Sequence, residues 1–206
     1  VDTTYYHAAR TPADPQTAVF WGRLDFAPNI DAAVWLAEEL WPQVRQRWPL
    51  AELRLVGRDP AAAVREAAAA SLGVRLVGAV DDVRPWAWRS GAVVLPLRSG
   101  TGIKNKLLEA AAMARPILAS PAAIEGLQLP ETPVLWRCGE PTAWLDALDA
   151  AWTHPQTATA LGDAARAWVA REYRWPTHAA ARERLLADLR PASPNAARND
   201  TRRRAA

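Results

Sequence analysis

Six short apolar runs alternate with helical patterns along this chain, and no hairpin turn joins any two of them. The runs are TAVFWG (17–22), AELRLVG (51–57), VRLVG (74–78), AVVLPL (92–97), PILAS (116–120) and PVLWR (133–137). Between the first two, Val34, Ala37, Leu40, Trp41, Val44 and Trp48 recur at helical spacing over 31–48. An alanine-rich helix follows over 60–73, with Pro60 near its first turn and Gly73 as its stop. A short helix over 82–91 is capped by Asp82, and longer ones run from about 103 to 114 and over 141–154. Residues 156–190 carry two more helical patterns with a break near 173–178. Strands separated by helices must run parallel, because a parallel pair needs a long crossover. The expected fold is therefore α/β, a Rossmann-like doubly wound parallel sheet of about six strands with helices on both faces. Ligands of such sheets bind outside the carboxyl ends of the strands.

The 206 residues are 50% hydrophobic, enough for one domain whose core needs no covalent staples. The single cysteine, Cys138, excludes an internal disulfide and fits a reducing compartment. Much of the net charge of +3 comes from Arg198, Arg202, Arg203 and Arg204 at the end. The body is close to neutral, so no nucleic-acid partner is expected. The tail, 191–206, reads as a disordered basic end whose arginines allow a peripheral contact with an anionic membrane surface. No apolar run approaches the ~20 residues of a membrane span and no signal peptide is present. The expected location is cytoplasmic, at most at the inner face of a membrane.

The densest chemistry lies in RSGTGIKNKLLEA (98–110), a strand-to-helix turn. Gly100 and Gly102 permit a tight backbone and close approach of a ligand. The free N–H groups of the following helix form an anion site. Lys104 and Lys106 add two cations at that end, where a bound phosphate would explain them. Glu109 lies further along and can accept two hydrogen bonds from a vicinal diol. The plain alternative is a solvated Lys106–Glu109 ion pair. Gly22-Arg23 directly follows the first strand, and arginine suits bidentate phosphate contacts. The turn GAVDDV (78–83), with Val80, could face a flat base through its backbone. Most tryptophans, Trp35, Trp41, Trp48, Trp144, Trp152 and Trp168, fall at core spacings. Trp86 and Trp88 are either apolar anchors or base platforms, and Trp21 could face another domain. His7, His154 and His178 all fall outside this constellation.

Taken in order, GR after a strand, LVG, VRLVGAVDDVRPW, VVLPLRSGTGIKNKLLEA and RPILASPAAIEGL resemble the donor-binding C-terminal domain of family 4 GT-B glycosyltransferases. The resemblance is nearest to bacterial exopolysaccharide-locus and PEP-CTERM-associated sugar transferases. It implies a retaining, metal-free and cofactor-free hexosyl transfer from a nucleotide diphosphate sugar to a glycan or lipid-linked acceptor. It also implies a missing N-terminal acceptor domain, without which this chain would be inactive. Residues 1–17 would be an interdomain linker remnant and 18–190 the nucleotide-sugar-binding domain. By the same resemblance Arg23 and Lys104 act on the leaving diphosphate. Gly22, Val80, Gly100, Thr101, Gly102, Lys106 and Glu109 would hold the donor, Glu109 at its ribose.

The family's pattern is incomplete here. Its second lysine after Gly-Arg is replaced by Pro28-Asn29, so Lys104 or Lys106 is expected to supply that cation. The upstream glutamate partner of Glu109 is Thr101. The glycine that often closes this helix is Ala114, at a cost of about 1 kcal/mol if the site is left-handed. The alternatives are a non-catalytic nucleotide-binding fragment and a GT-B-type sugar-nucleotide epimerase. A dinucleotide oxidoreductase is disfavoured, because GRLDFA stands where G-x-G-x-x-G would be.

Overall fold

A computed structural model describes residues 1–9, 11–99 and 104–173. The chain divides into a compact unit, Val1–Arg174, and a second segment, Trp175–Ala206, which lies outside the described residues. The final helical pattern, His178 and the expected basic tail fall in that segment, and Gly100, Thr101 and Gly102 fall in the other undescribed stretch.

The compact unit begins its regular structure with β1 (Asp14–Trp21), α1 (Ala27–Trp35), a π-helical turn (Leu36–Leu40) and α2 (Trp41–Arg47). Then come β2 (Glu52–Val56), α3 (Ala62–Ala70), β3 (Val74–Gly78), α4 (Arg84–Trp88) and β4 (Ser90–Leu95). The second half holds α5 (Asn105–Ala112), β5 (Ile117–Ala119), α6 (Pro121–Ile124), β6 (Trp136–Arg137), α7 (Pro141–Thr153) and α8 (Pro155–Glu172). The six strands form one sheet in the order β3-β2-β1-β4-β5-β6, and every neighbouring pair is parallel. The order reverses between β1 and β4, which puts a crevice at their carboxyl ends.

Two boundaries differ from the sequence reading for identifiable reasons. The first strand starts at Asp14, within the stretch expected as linker. Asp14 pairs with Ser90 across a register shift, and its carboxylate takes Arg54 at 2.6 Å and Arg89 at 3.1 Å. Polar residues thus extend the strand through ion pairs, which an apolar pattern cannot reveal. The helix expected over 31–48 begins at Ala27 and is widened in its middle. Pro42 lacks an N–H and its ring would collide with the Glu38 carbonyl four residues back. The chain answers with an i→i−5 bond from Trp41 N–H to Leu36 O, and the Gln43 amide donates to Glu39 O at 2.8 Å.

The core sits on both faces of the sheet. Phe20, Leu24, Leu53, Leu55 and Leu95 are fully buried, with Leu36, Trp41, Leu107, Trp144 and Trp168 packed over them from the helices. The α1–α2 stretch packs against α3 and α7, and α5 packs against α8. Trp35 meets Trp144 edge-on, and Trp152 does the same with Trp41 and Trp48. All six tryptophans expected in the core are in it or packed against it. Among the described residues, no helix is long and apolar enough to cross a membrane.

Candidate functional site

The carboxyl edge of the sheet is knit together by backbone. Gly22 donates its N–H to Val56 O at 3.0 Å, and Gly57 donates to Gly78 O at 2.8 Å. A Cβ on Gly57 would fall 1.7 Å from Gly22 O, so no side chain fits between the ends of β1 and β2. Gly22 has φ +153°, and a Cβ there would meet Lys106 Cε at 2.6 Å and Asn29 Nδ2 at 2.9 Å. The turn after β1 is therefore a shallow backbone floor with a lysine laid across it.

That lysine comes from the first turn of α5. Lys106 Nζ donates to Asn29 Oδ1 at 2.8 Å, and Asn29 Nδ2 donates to Arg23 O at 2.7 Å. The ammonium also stands 5.7 Å from the centre of the Phe20 ring. Burial pushes its pKa below the ordinary lysine value, and the charge of Glu109 partly opposes that. Glu109, one turn further along α5, accepts from Trp21 Nε1 at 3.0 Å through Oε2. The Tyr6 phenol lies near the same carboxylate, and its pKa is raised by burial first and by Glu109 second.

Arg23 lies in the turn after β1 with a side chain 59% exposed. Its guanidinium is held by Asp25 at 2.6 and 3.0 Å, and that bond raises its pKa. Lys104 is half-buried at the N-cap of α5, where its carbonyl accepts from Leu107 N–H and Leu108 N–H. Gly22, Arg23, Lys106 and Glu109 are thus gathered where β1, α1 and α5 meet, with Lys104 at the head of α5. Val80 lies in the loop after β3, half-buried and packed against the core.

Other readings resolve clearly. Lys106 and Glu109 are not a solvated surface pair, because both are half-buried and each takes its own partner. Trp21 does not face outward: it is 6% exposed and pinned to Glu109. Trp86 lies 5.4 Å beneath the Arg75 guanidinium. Trp88 donates to His7 O at 2.9 Å and is in ring contact with His7. Both serve packing within the chain. Asn29, Trp21 and Tyr6 are the site contacts that the sequence pattern missed. The nearest signal was Pro28-Asn29 where the resemblance leads one to expect a lysine.

The strand order and the backbone edge define the class: a Rossmann-like α/β domain with polar side chains gathered near the switch between β1 and β4. Residues 15–154 match the family of glycosyl transferases group 1, and the chain belongs to that family. No curated protein matches it by sequence. Among solved structures it is similar to sucrose-phosphate synthase from Thermosynechococcus elongatus, at 20% identity and TM-score 0.70, covering 92% of this chain and 51% of that one. It is similar to HepE of Anabaena, solved in complex with UDP and glucose, at 14% identity and TM-score 0.68, covering 85% of this chain and 49% of that one. A third is the C-terminal domain of the group 1 glycosyltransferase LpcC from Francisella tularensis, at 14% identity and TM-score 0.63, covering 85% of this chain and 99% of that domain. The chain therefore spans about half of the first two proteins and nearly all of the isolated domain. These likenesses show a Rossmann-like α/β fold that matches these GT-B glycosyltransferase neighbours.

Proposed function

We propose that this chain is the donor half of a retaining, metal-free hexosyltransferase that moves a sugar from a nucleoside diphosphate sugar to a glycan or lipid-linked acceptor. The observation that carries the reading is the pairing on α5 of an ammonium over the Gly22 turn with a carboxylate one turn further along. The ammonium suits a diphosphate, which leaves with charge that protein cations must neutralise. The carboxylate suits a ribose diol. In this reading Lys106 rather than Lys104 stands in for the family's missing lysine, supported by the bond from its Nζ to Asn29, one of the two residues, Pro28-Asn29, found where that lysine is expected. Arg23 and Lys104 add cations at the same edge. The motif assigns Gly100, Thr101 and Gly102, which lie outside the described residues, to phosphate contacts, and the backbone near Val80 to the base.

The solved complexes of HepE with UDP and UDP-glucose support a uridine nucleotide as the first donor to try. The sequence resemblance to exopolysaccharide-locus transferases supports a bacterial glycan acceptor and a cytoplasmic site at the inner face of a membrane. An N-terminal domain would supply the acceptor side, and without it the chain binds donor but transfers nothing. Calorimetric titration of the chain with UDP, GDP and ADP tests the reading. Binding of one of them, lost in Lys106→Ala and Glu109→Ala, is expected. Absence of binding to all three would overturn it.

A further inference from the structure

Glu109 is gripped from the sheet side by a residue that neither the motif nor the family resemblance assigns. Trp21 is the last residue of β1 and is paired in register with Val56. Its ring is 6% exposed, so its direction is fixed by packing rather than by solvent. A buried indole N–H needs an acceptor, and here it donates to Glu109 Oε2 at 3.0 Å, across 88 positions of sequence. A glutamate on a helix surface otherwise samples several rotamers, and freezing it costs side-chain entropy. The indole meets that cost in the folded protein, before any ligand arrives. A carboxylate offers about four acceptor positions. Trp21 takes one, which leaves acceptor capacity for a diol.

We propose that Trp21 is a positioning residue that sets the Glu109 carboxylate for the two ribose hydroxyls, so that the site's discrimination between ribose and deoxyribose depends on the indole N–H. The proposal rests on the donor-site reading above. It separates Trp21 from Lys106, which faces the phosphate end and should be indifferent to the indole.

The test is calorimetric titration of the full 206-residue chain with UDP, 2′-deoxy-UDP and inorganic pyrophosphate, in wild type and Trp21→Phe. Phenylalanine keeps most of the ring volume and removes the donor. Wild type is expected to prefer UDP over 2′-deoxy-UDP by roughly tenfold. In Trp21→Phe that ratio should shrink to about twofold, while pyrophosphate affinity stays within about twofold of wild type. Unchanged pyrophosphate binding shows the site is still folded, so the lost ratio cannot be a general collapse. A variant that keeps the wild-type ratio, or that loses pyrophosphate as fully as UDP, overturns the positioning role and leaves the donor site standing. A wild-type chain that binds none of the three probes overturns both.

Discussion

The ammonium of Lys106 stands 2.8 Å from Oδ1 of Asn29, directly over the turn that Gly22 makes after β1. The two side chains come from different helices, Lys106 from α5 and Asn29 from α1. The arrangement works only because residue 22 has no side chain.

Gly22→Ala tests that dependence. The new methyl would sit 2.6 Å from Lys106 Cε at a φ of +153°, so both the backbone and the lysine must move. A stability loss of about 2 kcal/mol is expected by denaturant unfolding. Pyrophosphate affinity should fall by roughly tenfold, as the ammonium is pushed off Asn29. A variant as stable as wild type with full affinity would mean that the turn is not a phosphate floor.

Lys106 also gives a pH signature. Burial lowers its pKa below the ordinary 10.5. Between the lowered value and 10.5, the unfolded chain still holds a proton that the folded chain has released. Stability therefore rises with pH through that window, and the burden of the buried charge is present in full below it. Diphosphate binding needs the ammonium and runs the other way, weakening as pH climbs through the same window. Pyrophosphate affinity should drop in wild type as pH is raised from neutral towards the ordinary lysine value of 10.5. It should be low and much flatter in Lys106→Met. Parallel slopes in the two proteins would remove Lys106 from the phosphate site.

How much of this was legible before any coordinates depends on whether the signal was local. Each of the six strands overlaps an apolar run, most clearly β4 and β5, which have a neighbour on each side and are buried along nearly all their length, whereas the edge strands β3 and β6 are only partly buried. The π-helical turn at Leu36–Leu40 was invisible to periodicity, although Pro42 gave its cause in plain view. β6 shrank to Trp136–Arg137 because Val134 and Leu135 are buried without pairing, and burial alone looks like a strand. In the site, glycines, lysines and glutamate were readable as types at one turn. Which lysine reaches Asn29, and that Trp21 reaches Glu109, are facts about residues 77 and 88 positions apart. No local pattern encodes them.

Arg23 is tied to a neighbour rather than presented freely. Asp25 holds its guanidinium through two bonds at 2.6 and 3.0 Å and places a negative charge close to the Gly22 turn. Asp25→Asn removes that charge and weakens the clamp. Pyrophosphate affinity should rise by roughly threefold at low salt, with the gain fading as ionic strength increases. Arg23→Ala in the same background should erase the gain. A gain that persists without Arg23 would show that Asp25 acts through the general field alone.

The exit of α5 carries strain that a single substitution should release. Ala114 has φ +55°, a left-handed conformation that costs an alanine about 1–2 kcal/mol. Its carbonyl lies where a Cβ on Gly162 would come within 2.3 Å, so α8 runs close against this turn and holds it. Ala114→Gly relieves the strain, and part of the gain is offset by the extra freedom of glycine in the unfolded chain. A net stabilisation of about 0.5–1 kcal/mol is expected, seen as a Tm rise of about 2 °C. Gly162→Ala should act oppositely, because its methyl meets backbone rather than a movable side chain. Nucleotide affinity should be unchanged in Ala114→Gly, since the residue lies at the far end of α5 from Lys106. If Ala114→Gly destabilises the protein instead, the methyl contributes packing worth more than the strain, and the left-handed turn is not the weak point of this helix.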